Sequence, residues 1–287
     1  MTRAAGAAAV AALLALAVLA GPAAAQDEAR RIVSLGGSVT EIVVALGAAD
    51  RLVARDSTST HPDSVTALPD VGYLRALSPE GVLSLDPDLI VAEADAGPVE
   101  AVEVLRAAGV RFVLMPDEPT PEGVAAKIAA VAGAIGRPAE GAALAARVTA
   151  GLAEAEARAA AVRSPRRVLF VLSAQGGRIM AGGEGTSADG IIRLAGARNA
   201  ATGFDGYKPM TDEAVLAADP DVILMMDRDG DHAVQDADLL ALPALAASPA
   251  ARTGAIVRMD GLLLLGFGPR TPEAARALHA AIYPAGD

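Results

Sequence analysis

The sequence predicts an α/β protein of two Rossmann-like lobes joined by a single long helix. Three observations carry that prediction: a repeated segment, an alternation of short apolar strands with helices, and an alanine-rich stretch between the two copies. Residues 72–92 read GYLRALSPEGVLSLDPDLIVA and residues 206–226 read GYKPMTDEAVLAADPDVILMM. At an offset of 133 there are 7 identities in the 14 positions from Ser78 to Val91. They include Glu80 on Glu213 and Asp86-Pro87-Asp88 on Asp219-Pro220-Asp221. A repeat separated by a domain's length implies two similarly built lobes, and a cleft between lobes is where a ligand is held.

Each element follows from local signals. Residues 31–35 form a short apolar strand, Gly36-Gly37-Ser38 a turn, and 40–46 a helix that Gly47 closes. Residues 52–54 are the next strand. Ser78 reads as an N-cap, with Pro79 at the first helical position and Glu80 in the first turn. That helix runs to about Leu85, where Asp86-Pro87-Asp88 breaks it before a buried strand at 89–92. A helix at 99–108 and a strand at 110–115 complete the first series, and such alternation gives a parallel sheet. Residues 121–135 and 138–162 read as helices, the second about 37 Å long at 1.5 Å per residue. A stiff connector of that length predicts lobes that move little on binding. The second series runs through a strand at 167–172, helices at 187–194 and in the repeat, a strand at 222–226 and a late helix at 271–282. The expected organisation is a leader at 1–25, an N-terminal lobe at 26–137, the inter-lobe helix at 138–163 and a C-terminal lobe at 164–287.

Composition bounds the function. Met1-Thr2-Arg3, an apolar run over 7–20 and Ala23-Ala24-Ala25 read as a secretory signal cleaved near Ala25. The chain has no cysteine, which excludes disulfides, thiolate metal sites and a lipid-modified cysteine after the leader. The expectation is a free, monomeric protein of the periplasm. Without Arg3 the charge is −12, from 23 basic and 35 acidic residues, which argues against nucleic acid and anionic membranes as partners. Gly36-Gly37 between strand and helix lacks the full dinucleotide fingerprint, and Glu41 soon after would repel phosphate. No G-x-S-x-G, H-E-x-x-H or Walker sequence is present, so no enzyme activity is expected.

Two α/β lobes, one long inter-lobe helix and an export signal resemble the class III periplasmic binding proteins of ABC importers for haem, cobalamin and ferric siderophores. The run Gly72-Tyr73-Leu74-Arg75-Ala76-Leu77-Ser78-Pro79-Glu80-Gly81 resembles the haem-binding branch, and Gly206-Tyr207-Lys208-Pro209-Met210 is similar to it as well. The resemblance implies that Tyr73 ligates haem iron. Phenolate is a good ligand for ferric iron, and a guanidinium two residues away favours the anion. In an extended segment positions i and i+2 point to the same side, which brings Arg75 within reach of the Tyr73 oxygen. The plainer alternative is a rim aromatic beside a solvated charge.

A second axial ligand is harder to find. His61, His232 and His279 all read as exposed or structural, with His61 the best of the three because it shares a lobe with Tyr73. Gln175 stands near the position where some relatives place a His, and glutamine is a poor iron ligand. The expectation is five-coordinate, high-spin ferric haem held by Tyr73 alone. Arg55, Arg178 and Lys208 are candidates for the propionates. Gly182-Gly183 and Gly185 mark a turn that approaches the ligand, and Met180, Met210 and Tyr207 are candidate lining. Glu80 and Glu213, at the starts of equivalent helices, stabilise helix dipoles in the simple reading. By the resemblance they dock onto Arg residues of the importer's permease, beneath which its ATPase works. Cobalamin or a ferric siderophore is the alternative cargo. A chelatase-like enzyme is the alternative class, and it would need a His or carboxylate cluster in the cleft.

Overall fold

The computed structural model describes residues 29–227 and 234–284. The expected leader and His232 lie outside the described residues. The first lobe is a four-stranded parallel sheet of β1 (Ile32–Leu35), β2 (Leu52–Arg55), β3 (Leu89–Glu93) and β4 (Arg111–Met115), in the order β2-β1-β3-β4. Helices α1 (Gly37–Ala45), α2 (Pro79–Leu83) and α3 (Val99–Ala107) belong to its crossovers. β1 is wholly buried and β3 nearly so, as their unbroken apolar runs require when helices cover both faces.

Two helices separate the sheets in the chain: α4 (Pro121–Ala134) and α5 (Pro138–Ala160). Thr120 caps α4 by accepting from the Gly123 amide, and Pro121 supplies the fixed φ of the first turn. α5 has 23 residues, about 35 Å at the usual rise. It buries Leu144, Val148, Leu152 and Ala155 along one stripe. α5 packs on α4 and also on two helices of the second lobe, α6 (Ser187–Leu194) and α11 (Thr271–Ile282).

The second lobe carries β5 (Arg167–Ser173), β6 (Met180–Gly182), β7 (Arg198–Asn199), β8 (Tyr207–Pro209), β9 (Val222–Met226) and β10 (Ile256–Met259). Its order is β10-β9-β5-β6-β8, with β7 also on β5. β10, β9 and β5 run parallel, whereas β6 and β8 form an antiparallel ribbon. That ribbon was not expected, because its strands are three residues long and all of β8 is exposed. The short helices α7 (Asp212–Ala218), α8 (Asp236–Leu240), α9 (Pro249–Thr253) and α10 (Gly261–Leu265) complete the lobe.

The sequence repeat is a structural device. Ser78 Oγ accepts from the Gly81 amide at 3.4 Å and Thr211 Oγ1 from the Ala214 amide at 3.2 Å, so α2 and α7 start alike. Both helices lead to an aspartate of left-handed conformation, Asp86 at φ 46° and Asp219 at φ 41°. The second aspartate of each triplet ties down the start of a neighbouring strand. Asp88 accepts from the amides of Arg30 and Arg31 at 2.8 and 3.1 Å, and Asp221 from that of Arg167 at 2.7 Å. The hydrogen bonds from Arg167 hold the Asp221 carboxyl below its usual range, against partial burial.

One apolar cluster runs from β1 and α1 through α4 and α5 to α6 and α11, joining both lobes in one core. Polar contacts cross between the lobes beside it. Arg270 Nε donates to Glu41 Oε1 at 3.0 Å, with Glu41 buried. A Cβ at Gly37 would lie 2.4 Å from Leu262 Cδ1 of α10, and one at Gly36 2.5 Å from Glu93. The glycine pair therefore admits close packing, and the turn holds a side chain where a phosphate would need to be.

Candidate ligand-binding cleft

A cleft of about 780 Å³ opens between the lobes. Its walls come from the carboxyl ends of parallel strands, where open α/β sheets place their ligands. The first lobe contributes Tyr73, Arg75, Glu93, Asp95, Asp117 and Pro119. The second contributes Leu172, Ser173, Gly185, Thr186, Ser187, Gly206, Tyr207 and Met226, with Leu265 and Gly266 after β10.

Tyr73 is 41% exposed, a high value for a tyrosine that is held in place. Its position comes from a tight turn: the Ala76 amide donates to the Tyr73 carbonyl at 2.8 Å, directly after Gly72 at φ 90°. Tyr73 and Arg75 thus meet through a turn, and the extended i, i+2 geometry expected from sequence does not apply. Arg75 Nη1 donates to Tyr73 Oη, and its guanidinium lies 5.6 Å from the ring centroid. Asp95 fixes the other side of the guanidinium, accepting from Arg75 Nε at 2.7 Å and also from Nη2. Partial burial works against the Arg75 charge, but the hydrogen bond and charge of Asp95, followed by Tyr73, raise its pKa above the ordinary value.

The second lobe repeats the Gly-Tyr pair, but here the tyrosine opens the strand β8 and not a turn. Gly206 has φ 75°, and Tyr207 follows it, 40% exposed to the same cleft. Where the first copy has Arg75 two residues on, this one has Pro209. The Tyr207 ring meets Phe170 edge-on at 6.3 Å. Burial raises the Tyr207 pKa, outweighing hydrogen bonds with the Ala188 backbone and the Thr186 side chain and the more distant Arg75 charge. Tyr207 is therefore a neutral phenol at the cleft wall.

The floor is polar and closely paired. Lys127 of α4 is fully buried, and its Nζ donates to Asp117 Oδ1 at 2.7 Å, Ser38 Oγ at 3.1 Å and the Gly266 carbonyl at 3.3 Å. Ser38 Oγ in turn donates to Glu93 Oε1 at 2.6 Å. Burial, opposed by the Lys127 charge and the Ser38 hydrogen bond, pushes the Glu93 carboxyl up to about 7. Glu93, Asp95, Asp117 and Thr186 were not singled out from sequence. They sit 20 or more residues from Tyr73; Glu93, Asp95 and Asp117 lie at or just after strand ends, and Thr186 caps α6.

Other expected residues lie elsewhere. Arg55 donates to Asp70 Oδ2 at 3.0 Å and to the Asp56 carbonyl, and it does not line the cleft. His61 faces Glu41, at the contact with Arg270. His279 Nδ1 pairs with the Ala195 carbonyl at 3.0 Å, a structural role. Gln175 and Arg178 are exposed on a short 3-10 turn after β5. Met180 is half-buried in β6, Met210 packs into a core behind the second sheet, and Lys208 lies 6.0 Å from the Phe204 ring. Gly185 lines the cleft, whereas Gly182 and Gly183 pack against Ala188, Tyr207 and Phe204. Glu80 and Glu213 are exposed in the first turns of α2 and α7. The Glu213 carboxyl sits below its usual range because its own amide and the Thr211 hydroxyl donate to it.

A family model described as periplasmic binding protein matches residues 32–262. Among solved structures, the periplasmic haem-binding protein BhuT in complex with two haems is 45% identical, with a TM-score of 0.83 over 88% of this chain and 97% of that one. An uncharacterised ABC transporter substrate-binding lipoprotein of Bacillus subtilis, YvrC, is 27% identical over 90% of this chain and 82% of its own length. A vitamin B12-binding protein of Yersinia pestis is 37% identical over 100 residues, 35% of either chain. No helix among the described residues is long and apolar enough to cross a membrane. With its two α/β lobes, its inter-lobe cleft and a family match across both, the chain belongs to the periplasmic binding proteins.

Proposed function

We propose that this protein binds ferric haem in the inter-lobe cleft and delivers it to an ABC importer. The observation that carries the reading is Tyr73, held by a turn and bonded to an arginine that Asp95 fixes in turn. Among the described residues no group of three or more His, Cys, Asp and Glu side chains could hold a metal ion. A lone tyrosinate suits an iron whose other equatorial ligands arrive with it, as they do in a porphyrin. The cleft volume of about 780 Å³ falls in the range of sites that enclose one organic ligand. Tyr73 is the single protein ligand in this reading, giving five-coordinate, high-spin iron. Arg75 lowers the barrier to losing the phenol proton, and Tyr207 faces the ligand as a neutral phenol. Arg178 and Lys208, both exposed, are the remaining candidates for the propionates, with Gln175 and Met180 as weaker contacts.

Delivery rests on Glu80 and Glu213, which present one carboxylate per lobe to Arg residues of a permease. The chain acts after export, in the periplasm, as a carrier with no chemistry of its own. Cobalamin is the second reading, favoured by the partial match to a B12-binding protein. Titration of the purified protein with ferric haem, and separately with cobalamin, separates the two. Saturable haem binding that abolishes any cobalamin signal supports haem. Saturable cobalamin binding without haem binding overturns it.

A further inference from the structure

Glu93 is a carboxyl group at the cleft that the iron-binding arrangement does not use. It ends β3 and lines the cleft. Its Oε1 accepts from Ser38 Oγ, and no hydrogen bond engages Oε2 among the described residues. The nearest cation is committed elsewhere. An ammonium has three protons, and those of Lys127 go to Asp117, Ser38 and the Gly266 carbonyl. Asp117 matches its charge at 2.7 Å. From the loops after β4 and β3, Asp117 and Asp95 add negative potential, and Ser38 of α1 approaches only as a neutral hydroxyl. Arg75 is likewise matched by Asp95. Glu93 is thus a half-buried acid whose nearest cation is already paired, and loss of surrounding water, opposed by the Lys127 charge, pushes its carboxyl up to about 7.

We propose that Glu93 is a proton-linked binding residue: an anionic ligand seats over the neutral acid, and binding takes up a proton wherever that acid was ionised. The role rests on the cleft being a haem site. A seated ligand excludes water from Glu93, and its negative charge repels the carboxylate. Both effects favour the protonated form. By linkage, affinity then loses up to about tenfold per pH unit above the pKa of the free acid. Tyr73 works in the opposite sense, because coordination releases a phenol proton and strengthens with rising pH. Below the pKa of the acid the Tyr73 trend acts alone and wild-type haem affinity rises with pH; above it the two trends offset one another and the curve flattens. A chain lacking the Glu93 acid binds more tightly as pH rises.

The test counts protons. Ferric haem is titrated calorimetrically into wild type and Glu93→Gln at pH 6 and pH 8, in buffers of differing ionisation enthalpy. Proton release on coordination by Tyr73 is common to wild type and variant, so it cancels between the two proteins. Wild type is expected to take up about 0.8 proton more at pH 8 than at pH 6, for an acid near 7 whose bound form stays neutral. The glutamine variant is expected to show no such rise. If the amide variant does not fold, Glu93→Ala, which relieves the packing against Gly36, takes its place. A wild-type count that does not change with pH, or a rise that persists in the variant, overturns the role of Glu93. Absence of saturable haem binding by wild type overturns the haem reading itself.

Discussion

The two Gly-Tyr pairs of this molecule differ in backbone as well as in chemistry, the first opening a tight turn and the second the strand β8. Each has a left-handed glycine, leads towards a capped helix with a glutamate in its first turn, and puts a tyrosine about 40% exposed into one cleft. In the first lobe the tyrosine oxygen receives a hydrogen bond from Arg75, and Asp95 fixes that arginine. In the second, the position two residues on is Pro209, and the Tyr207 ring packs edge-on against Phe170. The repeated sequence thus supplies two tyrosines to one cleft, and of the two the first has a guanidinium at its oxygen. The cap and the aspartate triplet, which serve the fold, kept the same residue types in both copies. The residues that face the cleft diverged.

The comparison is broken most directly at the tyrosines. Removing the first should cost ferric haem affinity more than about 100-fold, since even partners of a metal ligand are worth 10–100-fold. Tyr207→Phe removes one hydroxyl and should cost about fivefold or less, the worth of one hydrogen bond. Equilibrium titrations of both variants check this. Next in size, Arg75→Ala is expected to weaken haem binding about 10- to 100-fold. Asp95→Asn, which keeps the shape but not the charge, should have a smaller effect of about tenfold or less. In both, the tyrosinate charge-transfer band should require a higher pH to develop. The arginine-free variant should shift the most. Smaller again are the helix caps: Ser78→Ala and Thr211→Ala should each cost about 1 kcal/mol in denaturant unfolding, with no change in haem affinity. The smallest effect on binding is expected at Glu80 and Glu213. Alanine at both should leave the haem isotherm unchanged while abolishing haem-dependent growth through the importer. A loss of affinity in that double variant would contradict their assignment to docking.

Much of the fold was legible because periodic apolar runs and cap signals are local. The repeat alone located α2, α7, β3 and β9, and Pro121 and Pro138 marked the starts of α4 and α5. The β6–β8 ribbon escaped because its strands are three residues long and carry Gly182 and Pro209, both of which argue against a strand when read locally. Tyr73 and Arg75 were legible as a pair, although the turn that joins them was not. Asp95, Glu93 and Asp117 were illegible as partners because topology, not sequence distance, collects strand ends around a cleft. Arg55 and His61 failed as cleft residues for a related reason. Asp70 claims one, and the Glu41–Arg270 contact between lobes draws in the other.

The measurement that tests the divergence of the two tyrosines most directly is resonance Raman spectroscopy of the ferric haem complex in wild type, Tyr73→Phe and Tyr207→Phe. The expected result is an iron–tyrosinate signature in wild type and Tyr207→Phe that is absent in Tyr73→Phe. A signature that survives Tyr73→Phe and vanishes in Tyr207→Phe would place the iron on the second lobe and contradict the assignment of Arg75 and Asp95.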